Sequence, residues 1–192
     1  MSHKNVPAWT FPSIVTPAPV TVRGAIGHLP SLESGETAEP AYKYHTAPRR
    51  NERHILWVKH TPSGKSAFEN EEHFPQRANE ARIKAFKTAY KRMEPDKPCP
   101  TITMSSRTIS SQNNTHSHYG GKREDGPYSD ARALTLLELI VLTGLPSNWP
   151  VPTYCSQRCA RDILGECVPP KLMYHICKNN PLIPEETRNG IN

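Results

Sequence analysis

Apolar residues fall at helical spacing mainly in the last third of this 192-residue chain. Leu134, Leu136, Leu137, Leu139, Ile140, Val141 and Leu142 form a dense apolar stretch there. Thr135 stands at its start and Glu138 three positions on. This is the spacing of a capping box, in which a threonine hydroxyl and a glutamate carboxylate each accept a free N–H of the helix entry. A helix is predicted over residues 136–143, with Gly144 and Pro146 as its stop. Leu134, Leu137, Ile140 and Val141 are its expected core positions. A second helix is predicted over residues 156–165. Pro169 and Pro170 open a third, through Leu172, Met173, Ile176 and Cys177, because proline is tolerated in a first helical turn.

The earlier pattern is weaker. Residues 1–19 hold Pro7, Pro12, Pro17 and Pro19 without periodicity and read as an extended arm. A short helix is expected from Val22 to about Leu29, stopped by Pro30, and residues 33–52 read as loop. Residues 53–60 are too few to separate an amphipathic helix from a strand. Thr61, Pro62, Ser63 and Gly64 form a turn. Residues 78–93 follow the helical period imperfectly, with a strand-like end from Phe86 to Met93. Residues 101–104 read as a strand and residues 105–121 as an exposed polar loop.

Composition narrows the classes. Hydrophobic residues make up 35 % of the chain, with 20 prolines and 10 glycines, so a large self-contained core is not expected. The stretch over residues 134–145 is interrupted by Thr135, Glu138, Thr143 and Gly144, and crossing a bilayer takes about 20 apolar residues. The N-terminal residues lack the apolar core of a secretory signal. Five cysteines, an odd number, fit a reducing cytoplasm better than a disulfide framework.

The net charge of +6 is local. Residues 43–97 carry 13 basic and seven acidic groups, whereas the flanking segments nearly balance. A clustered cationic excess suits a polyanion, because each Lys or Arg placed on a phosphate releases condensed counterions. A basic solvated surface is the plainer alternative.

Two C-terminal blocks carry a family resemblance. One runs Ala133-Leu134-Thr135-Leu136-Leu137-Glu138 to Gly144-Leu145-Pro146. The other is Gly165-Glu166-Cys167-Val168-Pro169-Pro170. In this order they resemble the ninth and tenth motifs of DNA (cytosine-5) methyltransferases. Two upstream segments agree: residues 20–30, Val-Thr-Val-Arg-Gly-Ala-Ile-Gly-His-Leu-Pro, and residues 97–103, Lys-Pro-Cys-Pro-Thr-Ile-Thr. The resemblance covers about residues 20–178.

The resemblance implies the C-terminal part of such an enzyme. It implies an α+β fold, with a small irregular β-containing target-recognition domain over residues 20–132. The ninth- and tenth-motif helices, over residues 133–180, would pack on a Rossmann-like methyltransferase domain, with a tail over residues 181–192. In the family, a cysteine thiolate adds to a flipped cytosine, which then accepts a methyl group from S-adenosylmethionine. That cysteine follows a proline in the N-terminal half. Here Pro98-Cys99 matches the dipeptide but lies in the recognition region, and Glu69-Asn70 is followed by Glu71 rather than the family's valine. The sequence holds no Phe-x-Gly-x-Gly cofactor loop. No residue of this chain is therefore assigned as the nucleophile.

The resemblance places Gly165, Glu166, Cys167 and Val168 at the cofactor, with the family's asparagine replaced by Glu166. The cofactor would be S-adenosylmethionine, shared with an N-terminal methyltransferase half that carries the catalytic cysteine. Double-stranded DNA is the expected partner. Base reading is expected over residues 101–112. Arg107 is the foremost candidate there, because arginine pairs bidentately with guanine, with Thr101, Thr103 and Gln112 beside it. Arg49, Arg50, Lys91 and Arg92 are candidates for phosphate contact, as are Arg53, Lys59 and Lys87. A zinc site from Cys155, Cys159, His116 and His118 matches no standard finger spacing, and no metal is assigned. The family context implies restriction–modification in a bacterial or phage-encoded cytoplasmic setting. The alternative is a stand-alone or degenerate DNA-binding module without catalytic activity.

Overall fold

A computed structural model describes residues 18–85, 87–110 and 127–178, without the side chains of Ser105 and Arg107. Pro19–Cys167 forms one compact unit, and residues 168–178 belong to another. The first unit thus continues past residue 132, with residues 20–132 and the helix that follows them in one body. Its helices are α1 (Val22–Ile26), α2 (Glu52–Lys59), α3 (Leu136–Leu142) and α4 (Gln157–Glu166), with 3-10 turns at Ala67–Glu69 and Met104–Arg107. The second unit contributes α5 (Pro170–Lys178). No helix among the described residues is long and apolar enough to cross a membrane.

The start of α1 shows how a short helix is held. Thr21 accepts the Gly24 N–H at 3.1 Å, and the carbonyls of Lys97 and Pro95 accept the N–H groups of Val22 and Arg23 at 2.9 and 2.8 Å. Three N–H groups left without partners by helix geometry are thereby satisfied. Arg23 adds a fork onto Asp96, at 2.7 and 3.1 Å. The helix ends at Ile26, short of the expected Leu29, once Val22 and Ile26 are both buried.

Residues 53–60, left open between helix and strand, are helical. Asn51 caps α2 by accepting the Arg53 N–H at 2.9 Å, and Trp57 and Val58 turn inward. The described residues of 78–93 form no helix. The chain pairs instead in isolated antiparallel bridges, Gln76 with Arg82 and Ser66 with Lys91. Glu80 and Tyr90 adopt positive φ, at 63° and 48°, which no α-helix accommodates. Residues 101–103 are irregular and lead into the 3-10 turn, so the strand expected there is absent. Among the described residues no named strand is formed, and the expected β content appears as isolated bridge residues, Thr37 paired with Thr46, Ser66 with Lys91 and Gln76 with Arg82 among them.

The capping box of α3 forms as its spacing predicts. Thr135 Oγ1 accepts the Glu138 N–H at 3.2 Å, and Glu138 Oε2 accepts the Thr135 N–H at 2.6 Å. His45 joins from a distant loop, with Nδ1 at 2.9 Å from Thr135 Oγ1 and Nε2 at 2.9 Å from the Pro30 carbonyl. A carbonyl can only accept, so a neutral ring carries its proton on Nε2 and takes the Thr135 hydroxyl proton on Nδ1. At the other end Gly144, at φ 84°, donates to Val141 O, and Leu145 donates to Ile140 O. This pair of bonds is the Schellman arrangement, which glycine's conformational freedom permits.

Two apolar clusters result. Val22, Ile26, Met93, Leu134, Leu136, Leu139, Ile140, Ala160 and Leu164 form the first. Trp57, Val58, Ala67, Tyr90, Ile109, Ala131 and Ala133 form the second. Of the expected core positions, Leu134, Leu137 and Ile140 are buried, and Val141 is partly so.

Candidate nucleic-acid interface

The stretch expected to read bases is fastened to the body of the protein. Ser106 is buried, and Ile109 sinks into the second cluster at 1 % exposure. Thr101 is exposed and Thr103 half-buried. Arg107 closes the 3-10 turn, and its side chain lies outside the described residues. Gln112 lies outside them altogether, as do Asn113, Asn114, His116 and His118. Among the described residues no group of three or more His, Cys, Asp or Glu is placed to hold a metal.

The expected phosphate contacts separate into three kinds. Arg49, Arg50 and Lys59 line one cleft of about 310 Å³, together with Glu33 and Glu52. Arg49 is exposed and Arg50 half-buried. Lys65, Lys87 and Lys91 form a second group, whose charges help to hold the Glu69 carboxyl below its usual range. The main cause of that lowering is the hydrogen bond from the Ser66 N–H, at 2.9 Å. Glu69 is thus the carboxylate of a 3-10 capping box.

Arg53 and Arg92 make up the third kind. Arg53 donates to the carbonyls of Gln76 and Arg77, both at 2.8 Å, and lies over the Trp57 ring. Arg92 corrects the sequence expectation. It is fully buried and donates to the carbonyls of Val58, Thr61 and Ser129 at 2.8, 2.9 and 3.1 Å. A side chain enclosed in this way is not available to a phosphate. Its pattern in the sequence, a cation beside Lys91, is the same as that of a surface arginine.

The cofactor positions also look different in three dimensions. Glu166 and Cys167 are exposed, and Gly165 is partly covered by the backbone of Thr103 and Met104. Val168 is exposed and belongs to the second unit. Within the first unit, Gly165, Glu166 and Cys167 present an open edge rather than an enclosed cradle. They do not by themselves fit a cofactor, and no chemical step is assigned through one.

Two groups escaped the sequence reading. Lys65 joins the second cationic group. Arg161, at 2 % exposure, donates to the carbonyls of Ser106 at 3.3 Å and Leu134 at 2.8 Å. Its signal was present, since position 161 shares the inward face of α4 with Ala160 and Leu164.

Cys99 is held as a thiol. Burial pushes its pKa up to about 12, and Sγ donates to the Pro100 carbonyl at 3.1 Å. The thiolate is the nucleophilic form, so Cys99 is unreactive at neutral pH. Alkylation with iodoacetamide at mildly alkaline pH, followed by peptide mass spectrometry, is expected to label exposed Cys159 and Cys167 well before Cys99. Labelling of Cys99 at an equal rate contradicts this assignment.

Residues 3–180 match the family model of C-5 cytosine-specific DNA methylases. The chain belongs to that family. Among curated proteins, it is 47 % identical over 159 residues to Type II methyltransferase M1.HgaI of Avibacterium volantium. The match covers 83 % of this chain and 43 % of that relative, so the chain spans less than half of the relative's length. The family uses S-adenosylmethionine as methyl donor.

Proposed function

We propose that these residues form the C-terminal, DNA-recognising portion of a DNA (cytosine-5) methyltransferase that serves restriction–modification. The reaction is methyl transfer from S-adenosylmethionine to C5 of cytosine in double-stranded DNA. An N-terminal methyltransferase half supplies the nucleophilic cysteine and most of the cofactor site, and α3, α4 and α5 dock on its Rossmann-like domain. The observation that carries this reading is the 47 % identity to a Type II methyltransferase of which the chain covers 43 %. The buried thiol of Cys99 and the structural engagement of Glu69 support placing the chemistry outside this chain.

Within this portion, Arg49, Arg50 and Lys91 hold phosphates, which positions the duplex without specifying sequence. Residues 101–112, Arg107 foremost, read base edges. The setting is a bacterial or phage-encoded cytoplasmic enzyme.

The test is transfer of labelled methyl groups from S-adenosylmethionine to DNA. The chain alone is expected to be inactive, and addition of a matching N-terminal half is expected to produce transfer. Activity of the chain alone overturns the assignment of the nucleophile to the other half. Inactivity of the pair, with DNA binding retained, favours the degenerate DNA-binding module.

A further inference from the structure

Glycine in a helix interior is destabilising relative to alanine, and Gly165 lies in the last turn of α4. The close approach of another backbone explains it. A Cβ at position 165 stands 2.7 Å from Met104 Cα, and closer still to Met104 N and the Thr103 carbonyl carbon. All three are backbone atoms, so no side-chain rotation relieves the clash. One turn earlier on α4, buried Arg161 donates to the Ser106 carbonyl. The same guanidinium reaches Leu134 O, immediately before the cap of α3. The Met104–Arg107 turn is therefore clamped from one side by two residues of α4, and Ile109 anchors the chain beyond it.

We propose that Gly165 and Arg161 are positioning residues for sequence discrimination: they fix the backbone of the Met104–Arg107 turn within the base-reading segment. This rests on the reading of residues 101–112 as the base-reading segment. It gives Gly165 a role different from the cofactor contact implied by its motif. The energetics favour a selective effect. Hydrogen bonds to base edges weaken steeply with small errors in distance and angle, whereas the attraction between cations and phosphates falls off slowly. A displaced turn loses discrimination before it loses affinity.

The experiment compares two dissociation constants for the full chain. One is for a duplex enriched by the unmodified chain from a randomised pool, and the other is for a scrambled duplex of equal length. Gly165→Ala is expected to reduce the ratio of the two about tenfold, on the scale of one bidentate base contact. Affinity for the scrambled duplex is expected to stay unchanged. Arg161→Gln, which removes the link to Ser106, gives the same result by another route and serves if Gly165→Ala does not fold. Arg107→Ala is measured alongside. If Arg107→Ala reduces the ratio but Gly165→Ala and Arg161→Gln do not, the positioning role is wrong. It is also wrong if the two variants weaken binding to both duplexes equally. If the unmodified chain enriches nothing, or Arg107→Ala leaves the ratio intact, the base-reading assignment itself fails and the positioning role falls with it.

Discussion

Glu138→Ala is expected to lower the unfolding free energy by about 3–5 kcal/mol, the usual cost of breaking a buried ion pair from one side. Glu138 is 1 % exposed and receives both terminal nitrogens of Arg132, at 2.8 and 2.9 Å. Arg132 is fully buried and also donates to Leu32 O at 2.9 Å and to Asp130 Oδ1 at 3.2 Å. Burial opposes its charge, but Glu138 and Asp130 outweigh it and hold the guanidinium above its usual pKa. Asp130 in turn accepts from the Leu32 N–H and the Ser31 hydroxyl. Through Arg132 and Asp130, Glu138 therefore links α3 to residues 31 and 32, about a hundred positions away in the chain.

Glu138→Gln separates the two tasks of that side chain. Glutamine still serves a capping box, but it leaves the arginine charge short of a partner. Urea unfolding followed by circular dichroism is expected to place Gln between the native chain and Ala. A native-like midpoint for Glu138→Ala shows that the network does not hold the fold. The expected loss is a large fraction of the roughly 5–15 kcal/mol that stabilises an ordinary domain.

Arg92→Ala is expected to cost a comparable amount, about 3–5 kcal/mol, from a cavity and from buried carbonyls stripped of a donor. The carbonyls of Val58 and Thr61 lie at the C-terminal end of α2, where a cation is favourable. Asn70 shares the task by donating to Trp57 O at 3.0 Å and to Thr61 Oγ1 at 3.2 Å. Burial nevertheless brings the Arg92 pKa down to about 10, only partly offset by Asp130. The group stays charged at neutral pH, and part of its desolvation cost remains unrepaid. The discriminating measurement pairs stability with DNA affinity. Arg92→Ala is expected to destabilise the fold, and Arg49→Ala to weaken DNA binding without destabilising it. If Arg92→Ala leaves the urea midpoint unchanged, its scaffold role is refuted.

The two regions most fully read from sequence are those whose signals are local. Thr135, Glu138 and Gly144 sit within one short helix and its cap, and their partners lie three to five residues away. The start of α4 at Ser156, which accepts the Cys159 N–H at 3.2 Å, is of the same kind. Residues 78–93 were legible only in part: the strand-like end pairs with residues 64–67, as in the bond from Ala67 N–H to Tyr90 O, whereas the imperfect helical spacing before it yields no helix among the described residues. Nothing within residues 78–93 announces that partner. Arg92 misled, and Arg161 went unread, for a related reason. A cation is usually solvated, and only the carbonyls that converge on it from other segments make burial tolerable.

Local chemistry alone determined the capped helix α3, the boundaries of α4 and the order of motifs that carries the family resemblance. Each depends on bonds between near neighbours, whose geometry a short stretch of chain enforces by itself. Only the tertiary structure decided which cations face solvent, why Cys99 stays protonated and what Gly165 touches. Those outcomes depend on segments brought together from distant positions, where burial changes the cost of a charge and a single backbone crossing excludes a methyl group.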